Sequence, residues 1–382
     1  MFRKTLLCIC SVSLILTLFC RCSNASKTPS TPTEAISPTE ASTEAPSPLP
    51  ETLITINSEN FPDSTFRNYI LDYCDEDGDR MLSETEISNV REIDVSNKGL
   101  ETVSGIEYMT ALETLNVSGN QLLKINLSKN VNLKTLDCSR NNLGNLSLDT
   151  NIKLVHLNCS ENPRIKELLL NNNTLLSYLD CSKNPNLSDL GISSLYSSLH
   201  VVNISETGLK SFPVNYMVNL TELYCSGAHV GSYIFPKNSM LSILVAERTG
   251  SCDISECSLL QKATFCFLQK NLSIENKSFL KSLSISYSEA TEEIIIENCS
   301  QLEDLQISCE YSDKLHTIKA KNLPNLNKAQ ISLRWDSKIA DVDLSGCKAL
   351  RSLQITGAKR LNITGCSFLQ RNNYYPMEVI GP

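Results

Sequence analysis

The chain has 382 residues, 41 % of them hydrophobic, and a formal net charge of −8 at pH 7. A negative field repels phosphate backbones and anionic headgroups, which argues against nucleic acid as a partner and against an anionic lipid surface. The four histidines are scattered, and none of the sixteen cysteines has zinc-ligand spacing.

Residues 1–25 read as an export signal. "MFRK" is a basic n-region, and "TLLCICSVSLILTLF" is an apolar run of signal-peptide length, shorter than the roughly 20 residues a membrane-spanning helix needs. Cys22 and Ala25 put small residues at −3 and −1 of a cleavage site after Ala25. Cleavage there removes Arg3, Lys4 and Arg21 and no anion, moving the net charge from −8 to −11. The alternative is lipid anchoring through Cys20 or Cys22, although Phe19 and Arg21 precede them where a lipoprotein signal carries a small residue. Only that alternative puts the chain on a membrane. Residues 26–52, "SKTPSTPTEAISPTEASTEAPSPLPET", cannot bury enough apolar surface to offset their ordering entropy and are expected to be a disordered spacer.

Residues 53–89 form the next unit, a cap around a loop that carries six acidic side chains between Asp75 and Glu86. The spacing suits a calcium loop: Asp75, Asp77 and Asp79 at positions 1, 3 and 5, the Met81 carbonyl at 7, Ser83 at 9 and Glu86 at 12. "PDSTFRNYILDY", with Phe66, Tyr69 and Ile70 on one face, is its entering helix, and "SETEIS" begins the exit helix. Arg80 stands at position 6, where a left-handed turn normally takes Gly and a non-Gly residue costs roughly 1–2 kcal/mol. The competing reading is a solvated acidic turn.

From Val90 to residue 368 the sequence repeats. "VREIDVSNKGL" at Val90, "LETLNVSGNQL" at Leu112, "LKTLDCSRNNL" at Leu133, "LVHLNCSENPRI" at Leu154 and "LSYLDCSKNPNL" at Leu176 open the array. Further copies start at Leu199, Leu220, Leu241, Leu260, Leu280, Leu302, Leu326 and Leu350, making thirteen coils, numbered here 1 to 13. This resembles the leucine-rich-repeat pattern L-x-x-L-x-L-x-x-N-x-L. A single coil cannot cover its apolar face, so the first, fourth and sixth residues of each coil point inward and stack. Cys138, Cys159, Cys181 and Cys225 hold the sixth position as small buried hydrophobes. Cys252, Cys257, Cys266, Cys299 and Cys309 are less regular, with room for one disulfide.

Asn120, Asn141, Asn162 and Asn184, at the ninth position, are expected to bond turn backbone of neighbouring coils. That ladder stops after Leu199, which predicts more irregular later coils. A second apolar alternation, in "KINLS" at Lys124, "NLSLD" at Asn145 and "VDLSG" at Val342, predicts extended backbone on the convex side too. The fold class is thus a mostly-β solenoid of about thirteen coils, with parallel strands on the concave face, a small helical N-terminal cap and a tail over 369–382. The Asn-x-Ser/Thr sequons follow from the repeat consensus and are not read as glycosylation sites.

No G-x-S-x-G, no H-E-x-x-H and no Gly-rich phosphate loop occurs, which argues against an enzyme. Binding is favoured instead. The third and fifth residues of each coil face outward on the concave sheet, and the central coils place His156, Tyr178, Asp180, Val201, Glu222, Tyr224, Ile243 and Val245 there, with Asn158 and Asn203 between them. Aromatics with a polar rim are typical anchors, so this patch is the candidate partner site.

The segment from Ile56, "INSENFPDSTFRNYILDYCDEDGDRMLSETEIS", running on to about Leu187, resembles bacterial extracellular leucine-rich-repeat proteins of internalin-like architecture with an EF-hand-like cap. The resemblance implies a secreted or cell-surface protein that binds a protein or glycan on its concave face, with a structural Ca2+ ion in the cap. "NNYYPMEVIGP" is not a sorting signal, which leaves the mode of attachment open. The rival reading is a structural envelope rod without a soluble partner.

Overall fold

The structure, a computed structural model, describes residues 53–266, 271–286, 291–310, 312–334, 340–369 and 378–381. The export signal and spacer, residues 1–52, lie outside them.

One parallel sheet of thirteen strands runs the length of the array, one strand from each coil in chain order. The register is strict: Leu115, Leu136, Leu157 and Leu179, all fourth residues, sit opposite one another. The early strands span the third to fifth residues with the middle one buried and its neighbours half-exposed, as in His156–Asn158 and Tyr178–Asp180. Inward residues at positions one, four and six are buried throughout coils 2–12, and they include Cys138, Cys159, Cys181 and Cys225; at the ends of the array Val90, Leu353 and Ile355 are partly buried. All twelve described cysteines are free thiols, so the bridge allowed for among Cys252, Cys257, Cys266, Cys299 and Cys309 is not formed.

The expected asparagine ladder is present and does what an interior amide must. Asn162 Nδ2 donates to Cys138 O, Cys159 O and Ser160 O at 3.0–3.2 Å, while its Oδ1 accepts from Leu143 N at 3.0 Å. The amide thus pairs the buried Leu143 N–H and shares the three carbonyls with Asn141, Asn184 and the Arg140 N–H, tying the turns of two coils together. A second ladder, three residues before the first leucine, was not foreseen. There Asn130, Asn151 and Asn173 each donate to two carbonyls of the preceding coil. Lys277 takes the same position in coil 10. Its buried ammonium donates to Ile254 O and Ser255 O, both at 2.8 Å, and desolvation pulls its pKa below the usual lysine value.

In coils 9–13 the concave strands lengthen to five or six residues, as in Asp304–Cys309 and Lys328–Leu333, and a second parallel sheet of six strands forms on the other side. Their "LxIS" segments keep the alternation going through the seventh position, beyond the fifth where the early strands end. The expected irregular turns fall partly on residues 267–270, 287–290, 311 and 335–339, outside the described residues. One expectation needs correction: extended pairing on the convex side is confined. "VDLSG" starts inside the strand Asp341–Asp343, but "KINLS" and "NLSLD" form no strand, and early pairing is limited to Glu167–Leu169 with Asp189–Gly191. Glu378–Ile380, within the expected tail, adds a strand beside Arg360–Asn362.

The first coil is covered by a helical cap. Helix α1 (Ser64–Tyr73) starts at Asp63, whose side chain accepts from Thr65 N and Phe66 N, and it buries Phe66 and Ile70. Helix α2 (Glu84–Asn89) starts at Ser83 with a reciprocal capping box to Glu86. Phe61 is fully buried between Phe66 and Tyr108, with ring centroids at 6.1 and 5.8 Å. Gly105 is required opposite it, because a Cβ there would stand 2.3 Å from the Phe61 ring.

Candidate functional site: the concave face and the acidic loop

Alternation puts the third and fifth residue of every coil on the open face of the long sheet. All eight residues singled out from the sequence lie there and are half-exposed: His156, Tyr178, Asp180, Val201, Glu222, Tyr224, Ile243 and Val245. Strand register makes His156 and Tyr178 direct neighbours, and their rings stack at 3.9 Å with 5° between planes. Burial lowers the pKa of His156 from its ordinary value, against the raising influence of Asp137 and Asp180, so the ring is neutral at pH 7. Burial, aided by nearby carboxylates, pushes Tyr178 up to about 12. Tyr224 is also pushed up to about 12 by burial, and its hydroxyl donates to Glu222 Oε2 at 2.9 Å. Two hydrophobic residues, Ile243 and Val245, close the patch toward coil 8.

Beside the aromatics runs a row that the sequence reading only sampled. At the fifth position Asp and Asn alternate through six coils: Asp94, Asn116, Asp137, Asn158, Asp180 and Asn203. Each Asn donates through Nδ2 to Oδ2 of the Asp before it, all at 3.1 Å. Every member also accepts, through Oδ1, from the backbone N–H of the serine two residues on. The row is therefore held in one rotamer before any partner arrives, with its outer lone pairs toward the groove. With Glu92 and Glu222, the third and fifth positions of coils 1–7 carry five carboxylates and no lysine or arginine. The signal was legible in "IDVS", "LNVS", "LDCS", "LNCS", "LDCS" and "VNIS".

The acidic loop joins α1 to α2. Asp75, Asp77 and Glu86 bring carboxylate oxygens within 4.8 Å of one another. Asp79, expected at position 5, is not in that group; its Oδ1 accepts from Met81 N at 2.7 Å. Arg80 takes the left-handed backbone that position 6 demands, at φ 65°, and its N–H donates to Asp75 Oδ2 at 3.0 Å. Ser83 serves as the α2 cap, and Met81–Leu82 pairs antiparallel with Ile54–Thr55. Glu86 is buried. Desolvation alone would raise its pKa, yet hydrogen bonds from Ser83, Glu76 and Asp77 hold it below the ordinary carboxylate value. Hard oxygens clustered in this way suit a cation of the calcium class.

Among the described residues, no helix is long and apolar enough to cross a membrane. No protein-family model matches the sequence, and no curated protein does. Solved structures do match. The chain is similar to the functional domain of InlJ from Listeria monocytogenes, described as including a cysteine ladder, with a TM-score of 0.61, 20 % identity, and coverage of 81 % of this chain and 72 % of that one. It is also similar to the leucine-rich repeat domain of APL1B, with a TM-score of 0.57, 16 % identity, and coverage of 78 % and 89 %. With thirteen strands in register, an apolar inward residue, mostly leucine, at each fourth position and this similarity in backbone, the chain has the leucine-rich-repeat fold.

Proposed function

We propose that the chain is an exported or cell-surface binding protein, not an enzyme, and that the concave face of coils 4–8 takes a protein or glycan partner. The observation that carries the reading is the His156–Tyr178 stack set against the pre-ordered Asp/Asn row. Rigid aromatics supply contact area at little entropic cost, and ordered amide and carboxylate groups supply directional hydrogen bonds. Both partner classes use that combination. The test is capture by the purified chain from a glycan array and from a protein fraction, repeated with His156→Ala/Tyr178→Ala. Capture that the double variant abolishes supports the reading, and capture that it leaves intact sinks the site.

The acidic loop is, in the same reading, a structural calcium site. Asp75, Asp77 and Glu86 would hold the ion, with Asp79, the Met81 carbonyl and Ser83 completing the set. The ion would tie α1 to α2, and so fasten the cap to the open end of the array. A calcium-dependent rise in melting temperature, lost in Asp75→Ala, is the expected result. Melting indifferent to calcium would make the loop an acidic turn only.

A further inference from the structure

The two residues before the first leucine form a tight turn in most coils and lie just after the turn in coil 8, and these turns stack along the rim where the concave strands begin. Side chains reaching from turn to turn fix the stacking: Asn132 Nδ2 donates to Thr110 O at 3.0 Å, Lys153 Nζ to Asn132 Oδ1 at 2.7 Å, and Asn219 Nδ2 to Ser197 O at 2.8 Å. A solvent-facing turn has no need of large apolar residues, yet they recur here. Val131, Ile152 and Leu175 occupy coils 3, 4 and 5, each exposed. Val218, Met240, Leu259 and Phe279 continue the stripe through coils 7 to 10, again exposed. Coil 6 has Ser197 and Ser198 at the turn; there Tyr196 and Tyr216 bridge coils 6 and 7, stacked at 5.3 Å and 16°, with Tyr216 60 % exposed.

We infer that this rim is the contact between two copies of the chain, related by a two-fold axis at the Tyr196–Tyr216 pair. The stripe is balanced about the tyrosines, with coils 3, 4 and 5 on one side and 8, 9 and 10 on the other. An antiparallel pairing therefore lays coil 3 on coil 10, 4 on 9 and 5 on 8, which is the self-complementarity a two-fold contact requires. Aromatic anchors then fall at its centre, where binding energy concentrates. The area is sufficient. Side chains of this size, about half exposed, offer on the order of 100 Å² each, and the stripe together approaches the roughly 800 Å² per partner of a standard interface. In the same register exposed Lys153, next to Ile152, comes opposite the turn that carries exposed Glu256, three residues before Leu259. A lipid surface fits less well, because the polar residues between the apolar ones are mainly Asn, Ser and Thr rather than a cationic face.

Sedimentation equilibrium of the full chain tests this. A reversible dimer at micromolar concentration is expected, weakened about tenfold or more by Tyr216→Lys and by the milder Leu175→Ser, both exposed and without effect on thermal melting. Lys153→Glu should weaken the dimer, and Lys153→Glu combined with Glu256→Lys should restore it. A chain that stays monomeric, a dimer untouched by both rim variants, or a monomer that floats with phosphatidylcholine vesicles overturns the proposal.

Discussion

Coils 1–6 and coils 8–13 solve one problem in two ways. Each solenoid turn buries peptide groups that must be paired. The early coils use three-residue strands and then hand the turn to side-chain amides: Asn120, Asn141, Asn162 and Asn184 on one corner, Asn130, Asn151 and Asn173 on another. Coils 9–13 extend the strands themselves to five or six residues, with coil 8 intermediate at four, and add a second sheet, so backbone pairs with backbone. The junction shows the exchange in progress. Thr207 and Thr249 hold the ladder position after Asn184, each donating a single hydroxyl to one carbonyl. The difference coincides with a functional one: all five carboxylates and the stacked rings described above lie on coils 1–7, whereas the concave third and fifth positions of coils 9–13 offer Lys262, Lys328 and Asp304 amid Ser, Thr and Gln.

The largest expected effect comes from breaking the amide solution. Asn162→Ala leaves the Leu143 N–H without its acceptor inside the array and removes one of two donors from each of Cys138 O, Cys159 O and Ser160 O, and should cost roughly 2–3 kcal/mol in chemical denaturation. A loss under about 1 kcal/mol would mean water replaces the amide at no cost. Lys277→Met tests the late-coil exception. It removes the donor to Ser255 O and one of the two to Ile254 O, which keeps the Cys257 N–H, but also removes a desolvated charge, so a net loss of about 1 kcal/mol at pH 7 is expected. The sign with pH distinguishes it. The lysine's folded pKa lies below its ordinary value near 10.4, so the unfolded chain binds more protons between the two. Stability that this residue withholds at neutral pH is therefore recovered as pH rises through that window, and the Met variant lacks the rise.

A smaller effect belongs to the cap. Glu86 has its folded pKa held below the ordinary carboxylate value, so its contribution is full above about pH 4.3 and is lost as pH falls through the folded value. In a metal-free buffer, Glu86→Gln should flatten part of the acid limb of the stability profile. An unchanged acid limb would show that the capping bonds to Ser83 and Glu76 contribute nothing.

The repeat, its inward residues and the cap's helices were legible because each is a periodic or spaced signal. An apolar residue recurs at positions one and four of all thirteen coils, mostly Leu, and "PDSTF" and "SETE" carry their own helix caps. The longer strands of coils 9–13 were not legible, because the absence of Asn after Leu199 reads as loss when it accompanies strands that run further along each coil. The Asn130–Asn151–Asn173 ladder was hidden by its place outside the consensus, three residues before each leucine. The Asp/Asn alternation was visible in every coil, but its significance depends on a register that brings residues about 22 apart into hydrogen-bonding distance. Arg80 shows the opposite case: an apparent violation that the backbone absorbs at φ 65°.

The central claim is that partner binding resides on the early half of the concave face, and matched variants test it directly. A ligand captured by the chain is titrated against His156→Ala/Tyr178→Ala and against Ser282→Ala/Asp304→Ala, the directly paired third positions of coils 10 and 11 on the late half. The account predicts that the first pair weakens binding about 30-fold or more, as loss of a central anchor does, while the second leaves it unchanged. Equal losses from both, or a loss from the second pair alone, would contradict it.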